Sequence, residues 1–294
     1  LRALPLPLMS AAEALGLLRE LAPRLKDEAD AALVALAERL GFLPLAVDLA
    51  GRYLNWRDSL GVAEYLRRLE HVLEREEFNH PDPRLAGAGA RSLTAAFELS
   101  WERLAGADAA AEMARAVFQA CGWCAAGVDI PRNLLQMVMV TLPIFQQHKA
   151  LPEPRPEWQA WAAQAAEPLE EGLGAGLRLL ENCGLAEKSA GGLRLHPLLA
   201  EYARGLDGEK AALARLADGL ARVSNQANQT GLPAEAAPLR AHLQAAAGYA
   251  EAVGNEDAAS LWNNLGYHLN MLADLGGARA CFERALAIDE RVYG

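Results

Sequence analysis

Residues 259–290 read ASLWNNLGYHLNMLADLGGARACFERALAIDE, and their spacing decides the kind of fold this chain adopts. Apolar and small residues recur three and four positions apart on both sides of Ala273-Asp274, the period of an α-helix rather than of a strand. Trp262, Leu265 and Gly266 mark a first helix, expected over 257–274. Ala278, Phe282 and Ala285 mark a second, expected over 276–291. Two helices with so short a connection pair as an antiparallel hairpin. Gly266 and Ala278 are small where the helices cross closely, while Trp262, Leu265 and Phe282 fill the space toward neighbouring helices. One such hairpin cannot bury its own face, so it needs helical neighbours.

Working outward, helical periodicity covers nearly the whole chain. Residues 207–230 and 234–253 read as long Ala-rich helices, a helical linker over 207–256. The single strand signal lies before them. Leu185–Lys188 and Leu193–Leu195 flank a Ser-Ala-Gly-Gly turn and predict a β-hairpin, which His196-Pro197 ends by starting the helix LLAEYARGL. Ahead of it lie helices expected at 92–104, 108–121, 131–140 and about 165–182. The four prolines of 141–161 predict a surface excursion, docked by Trp158 and Trp161, and 76–91 reads as a linker. Helices followed by a hairpin in this order fit a winged-helix domain over 77–206. Residues 1–76 read as a bundle of short helices. Ser10 and Glu13 have capping-box spacing, Gly41 stops the helix of 29–40, Pro44 can open the next, and Ser59 a fourth.

The 294 residues carry a net charge of −10, with 52% apolar and 22% charged residues. That balance supplies ample core for two or three domains. No apolar run is long enough for a bilayer, and the first ten residues lack the charge pattern of a signal peptide. The acidic balance argues against direct nucleic-acid binding, since phosphates repel such a surface. Four cysteines make no disulfide framework, which points to a reducing cytoplasmic setting. Neither a phosphate loop nor the common hydrolase and zinc-protease signatures occur, and the six histidines are scattered. No catalytic or metal-ligating set is therefore expected. The pair Cys121 and Cys124 closes an apolar helix and reads as buried packing.

Two short motifs carry a resemblance. Gly41-Phe-Leu-Pro-Leu-Ala46 resembles the GxPLA motif of the NB-ARC, or STAND, signal-transduction ATPases, and Leu4–Leu18 resembles the segment entering their first helical ARC subdomain. The segment LRLHPLLAEYAR (193–204) resembles the end of their winged-helix subdomain. Residues 257–294 resemble a tetratricopeptide repeat, a sensor that often follows in bacterial members. The resemblance implies a mainly α chain with an ARC bundle, a winged helix, a helical linker and the first repeat of a truncated tetratricopeptide solenoid. It implies that Pro44 packs on the adenine of ADP, with Gly41 and Leu43 shaping the turn, and that His196 donates to the β-phosphate. The Pro197-Leu198 after that histidine departs from the plant form of the motif. It further implies an upstream phosphate-loop domain that supplies the ADP/ATP and Mg²⁺ chemistry, no ATPase activity and no tightly bound nucleotide in these residues alone. Implied partners are a protein or peptide ligand on the repeat and further copies of the chain on activation. Two other readings stay open: a tetratricopeptide adaptor without nucleotide function, and a winged-helix regulator that binds DNA.

Overall fold

Ser10 starts the first helix as its spacing predicts. Its hydroxyl accepts the Glu13 amide at 3.3 Å, and the Glu13 carboxylate accepts the Ser10 amide at 2.8 Å. The computed structural model describes residues 8–56, 60–74, 88–106, 108–140 and 156–293, and the chain divides into two units. The first is Leu1–Gly106 with Glu181–Leu185; the second is Ala107–Leu180 with Ala186–Gly294.

The first unit holds α1 (Ala11–Leu21), α2 (Asp30–Arg39), α3 (Pro44–Trp56), α4 (Val62–Leu73) and α5 (Ala88–Glu102). Helix α3 packs against both α1 and α5, and Leu18, Leu33, Leu36, Leu49, Leu54 and Leu69 are buried around it. Each fully buried leucine contributes about 1.5–3 kcal/mol relative to an exposed one. Arg24 closes the far end of α3, donating to the carbonyls of Leu54 at 2.6 Å and Leu60 at 2.5 Å. The Leu54 carbonyl is one that a helix C-terminus leaves without an intrahelical partner, and Leu60 lies just before α4.

The second unit opens with α6 (Ala109–Gly122), β1 (Ile130–Pro131), α7 (Arg132–Met139) and α8 (Pro156–Asn182), whose last two residues count with the first unit. Then come β2 (Glu187–Ser189), β3 (Gly192–Arg194) and α9 (Pro197–Gly205). The antiparallel sheet has the order β1-β3-β2, with Ile130 opposite Leu193 on one side and Lys188 opposite Leu193 on the other. At Gly192 a Cβ would lie 2.1 Å from the Ile130 carbonyl oxygen, so only glycine lets the strands close. Beyond the sheet run α10 (Ala211–Gln229), α11 (Pro233–Ala236), α12 (Arg240–Val253), α13 (Ala258–Met271) and α14 (Leu275–Tyr293).

The mainly helical reading holds, and four details differ from it. A third strand, β1, joins the expected hairpin. Helix α8 reaches back to Pro156, inside the expected excursion, because proline is tolerated in a helix's first turn. Helix α5 likewise begins at Ala88, within the expected linker. The helix expected over 234–253 is broken at Ala237–Leu239, where Pro238 brings no N–H to the ladder. The rest of the linker and excursion, with Ser59 and the side chains of Trp158 and Trp161, lies outside the described residues. No described helix is long and apolar enough to cross a membrane.

Candidate functional site

The turn before α3 is built by a reversal of backbone handedness. Gly41 has φ +67° and Phe42 φ +52°. The Gly41 amide donates to Glu38 O and the Phe42 amide to Ala37 O, both at 2.9 Å, so the end of α2 is capped before the chain turns into α3. An aromatic residue in the left-handed region costs on the order of 1 kcal/mol or more, which the surrounding bonds must hold. One of them is the Met9 amide, which donates to Phe42 O at 3.0 Å. Leu43 is half-buried and anchors α3 by accepting the Val47 amide at 3.0 Å, while Pro44, the first residue of that helix, is exposed. The glycine stop and proline start were legible in the sequence. The strain at Phe42 was not, because nothing in its side chain requires it.

His196 leaves β3 through Leu195 and caps α9. Its Nδ1 accepts the Leu198 amide at 3.2 Å, and Pro197 takes the first helical position, where no N–H is needed. An Nδ1 that accepts an amide proton carries none itself, so the neutral ring has its proton on Nε2. Partial burial lowers the pKa of His196, opposed by the Glu187 carboxylate. At neutral pH the ring therefore offers one N–H donor from a half-buried position. Pro44 belongs to the first unit and His196 to the second.

The six residues expected to pack the last hairpin lie on α13 and α14. Leu265, Ala278 and Ala285 are buried. Gly266 faces Phe282 so closely that a Cβ would lie 2.6 Å from Phe282 Cε1. Trp262 is buried, donates from Nε1 to Glu251 on α12 at 3.0 Å, and carries the Arg284 guanidinium 4.6 Å above its ring. Tyr267 meets Phe282 edge to face at 5.7 Å. On the other side of α13, the Asn264 side-chain amide donates to Ala221 O and to Ser224 Oγ on α10, both at 3.0 Å, and the Asn264 backbone carbonyl accepts from the Asn228 side chain at 2.9 Å.

Three polar residues that the sequence reading did not single out are buried in the second unit, and two of them tie it together. Asp207 is buried and accepts from Trp123 Nε1 at 2.9 Å and from the Ala212 and Leu213 amides at 3.1 Å, so one carboxylate both starts α10 and holds the turn after α6. His242, on α12, is buried and hydrogen-bonded through both ring nitrogens. His268, on α13, is fully buried, and neither ring nitrogen has a hydrogen-bond partner among the described residues. A lone polar residue in a turn or on an apolar helix face carries no motif, so only the packing exposes it. Cys121 and Cys124 are buried as well. Burial pushes the Cys121 thiol well up and that of Cys124 up to about 12, which makes both poor nucleophiles.

Among the described residues no group of three or more His, Cys, Asp or Glu side chains could hold a metal ion. No protein-family model matches the chain, and no curated protein or solved structure is similar enough to be matched to it.

Proposed function

We propose that this chain is the regulatory part of a STAND-type nucleotide switch: an ARC bundle, a winged helix, a helical linker and the first tetratricopeptide repeat. The observation that carries the reading is His196, which follows the last strand of an α-β-α-α-β-β succession and keeps an Nε2 proton to give. The sheet order β1-β3-β2 and the α13–α14 hairpin are the arrangements a winged helix and such a repeat require, and so support the same reading.

In this mechanism a cytoplasmic ADP-bound form is closed. Pro44, exposed at the head of α3, packs on the adenine, Gly41 and Leu43 shape the turn beneath it, and His196 donates to a β-phosphate oxygen. Phosphate and Mg²⁺ chemistry belongs to an upstream phosphate-loop domain. A protein or peptide bound to the repeat favours an open form that exchanges nucleotide and assembles with further copies. The coupling is the contact His196 makes in only one of the two states.

The test uses the full-length protein, whose coding region ahead of Leu1 should hold a phosphate loop. Nucleotide released on denaturation should be ADP, about one per chain. Substituting His196→Asn keeps a helix cap but removes the ring, and ADP release should quicken at least tenfold. An unchanged release rate, or no phosphate loop upstream, overturns the reading. The α13–α14 hairpin would then favour an adaptor, in which Pro44 and His196 affect stability alone.

A further inference from the structure

His242 lies at the start of α12 with its side chain fully buried, yet it bonds to a different part of the fold. Its Nδ1 accepts the Ala125 amide at 3.2 Å, and Nε2 lies 2.9 Å from the Asp129 carbonyl oxygen. An amide N–H can be accepted only by an unprotonated nitrogen, so the ring is neutral with its proton on Nε2, which then donates to Asp129 O. One imidazole thus spans the turn between α6 and β1 and fixes both of its ends. We propose that His242 is a pH-sensitive staple: neutral, it pins the 125–129 turn to α12, and protonated at Nδ1 it releases that turn from α12.

The geometry dictates the response. A proton on Nδ1 points a second donor at the Ala125 N–H, and two donors 3.2 Å apart repel. The ring cannot turn to solve this, because its other nitrogen would then face the same amide with its own proton. Burial disfavours the cation, so its formation must be coupled to exposure of the ring, which means opening of the turn. The neighbouring elements bring several charged or titratable groups to this region. From the turn before β1 comes Asp129, whose carboxylate pairs with Arg194 of β3 at 2.6 Å. Cys121 and Cys124, both buried, flank the end of α6. Arg204 of α9 lies over Tyr249 of α12, and Lys210 over Trp123. Arg240 lies in the first turn of α12 itself, and the ring of His268 on α13 feels its charge. Of these, only the Asp129 carboxylate acts on the His242 ring, and it favours the cation. Burial outweighs that attraction, so the closed ring takes up a proton less readily than the opened one, and acid favours the open turn.

The inference does not depend on the nucleotide reading, and its test does not use nucleotide. On the whole chain, ¹⁵N–¹H spectra at pH 7.5 should show His242 as the Nε2–H tautomer. Between pH 7.5 and 5.5 the protection factor of the Ala125 amide, corrected for intrinsic exchange, should fall several-fold, toward a ceiling of about tenfold set by one histidine, while that of Val117 within α6 holds. In His242→Gln, whose amide can accept and donate in the same places without titrating, the fall should vanish. A flat Ala125 protection factor in the unsubstituted chain overturns the staple. So does a parallel loss at Val117, which would mean that the unit unfolds as a whole. If the glutamine variant does not fold, the comparison of Ala125 with Val117 still decides.

Discussion

A methyl group on Gly266 would sit 2.6 Å from Phe282 Cε1 and within 3.0 Å of two more ring atoms. Phe282 is held in turn by the edge of Tyr267, so it cannot swing aside freely. Gly266→Ala is therefore expected to destabilise the second unit by about 1–3 kcal/mol, as overpacking usually does. Urea unfolding would read this as a lower midpoint at unchanged slope, and adding Phe282→Leu should recover part of the loss. A single-variant effect below about 0.5 kcal/mol would show that the helices have room to part. At His196 the two roles of the ring separate by substitution. His196→Ala removes the α9 cap and should cost about 1 kcal/mol, whereas His196→Asn, a good capping residue, should restore stability. If both variants are equally destabilised, the ring is packing rather than capping. Gly266 and His196 were both legible in the sequence, one through the size its spacing demands and the other through its place after a hairpin. Phe42, at φ +52°, was not, because its conformation is imposed by the bonds around it.

At the scale of elements, α10 depends on a residue outside itself. Lys210, its N-cap residue, has φ +60° and no side-chain cap, so the first amides of the helix turn to Asp207. Asp207 also takes the indole proton of Trp123, whose ring carries the Lys210 ammonium 5.0 Å above it. Replacing Asp207 with Ala strips one cap and one buried indole partner together, at an expected cost of about 2–4 kcal/mol. The emission of Trp123 should change with it. An Asp207→Ala chain with the original stability would place the start of α10 under other control. Elements of this kind divide by legibility. Helices with a full apolar stripe, such as α1, α2 and α13, were predicted to within a few residues, because burial alone sets their period. Strand β1 was not, since a two-residue strand has no alternation to read and exists only because Gly192 lets Ile130 approach β3. The break at Ala237–Leu239 could have been read from Pro238 in an otherwise helical stretch.

Over the whole molecule, the shifted histidines set the pH range in which folding is favoured. His242 and His268 are fully buried in the second unit, and burial is the largest cause lowering the pKa of each. At His268 the Arg240 guanidinium pushes in the same direction. The unfolded chain takes up these protons first, near the ordinary value of about 6.5. The stabilisation is therefore fully present above that pH and is lost as pH falls toward the lower folded values. Each histidine contributes a slope of at most about 1.4 kcal/mol per pH unit in that window. Glu13 and Glu64 in the first unit are held below the usual carboxylate range, by the Ser10 cap and by Arg68 and Arg67 respectively. Their contributions are lost only at still lower pH, as it passes through their own folded values. Urea midpoints for the second unit, followed by indole emission, should thus be level above pH 7 and fall between pH 6.5 and 5, with Asp257, whose pKa burial raises, acting in the opposite sense as it takes up its proton. His268→Leu, which puts an apolar side chain in a fully buried place, should shallow that fall without touching the protection of the Ala125 amide. His242→Gln should alter both. A midpoint that stays level down to pH 5 would show that both rings are protonated as readily in the folded chain as in the unfolded one, and would overturn this account of the two histidines.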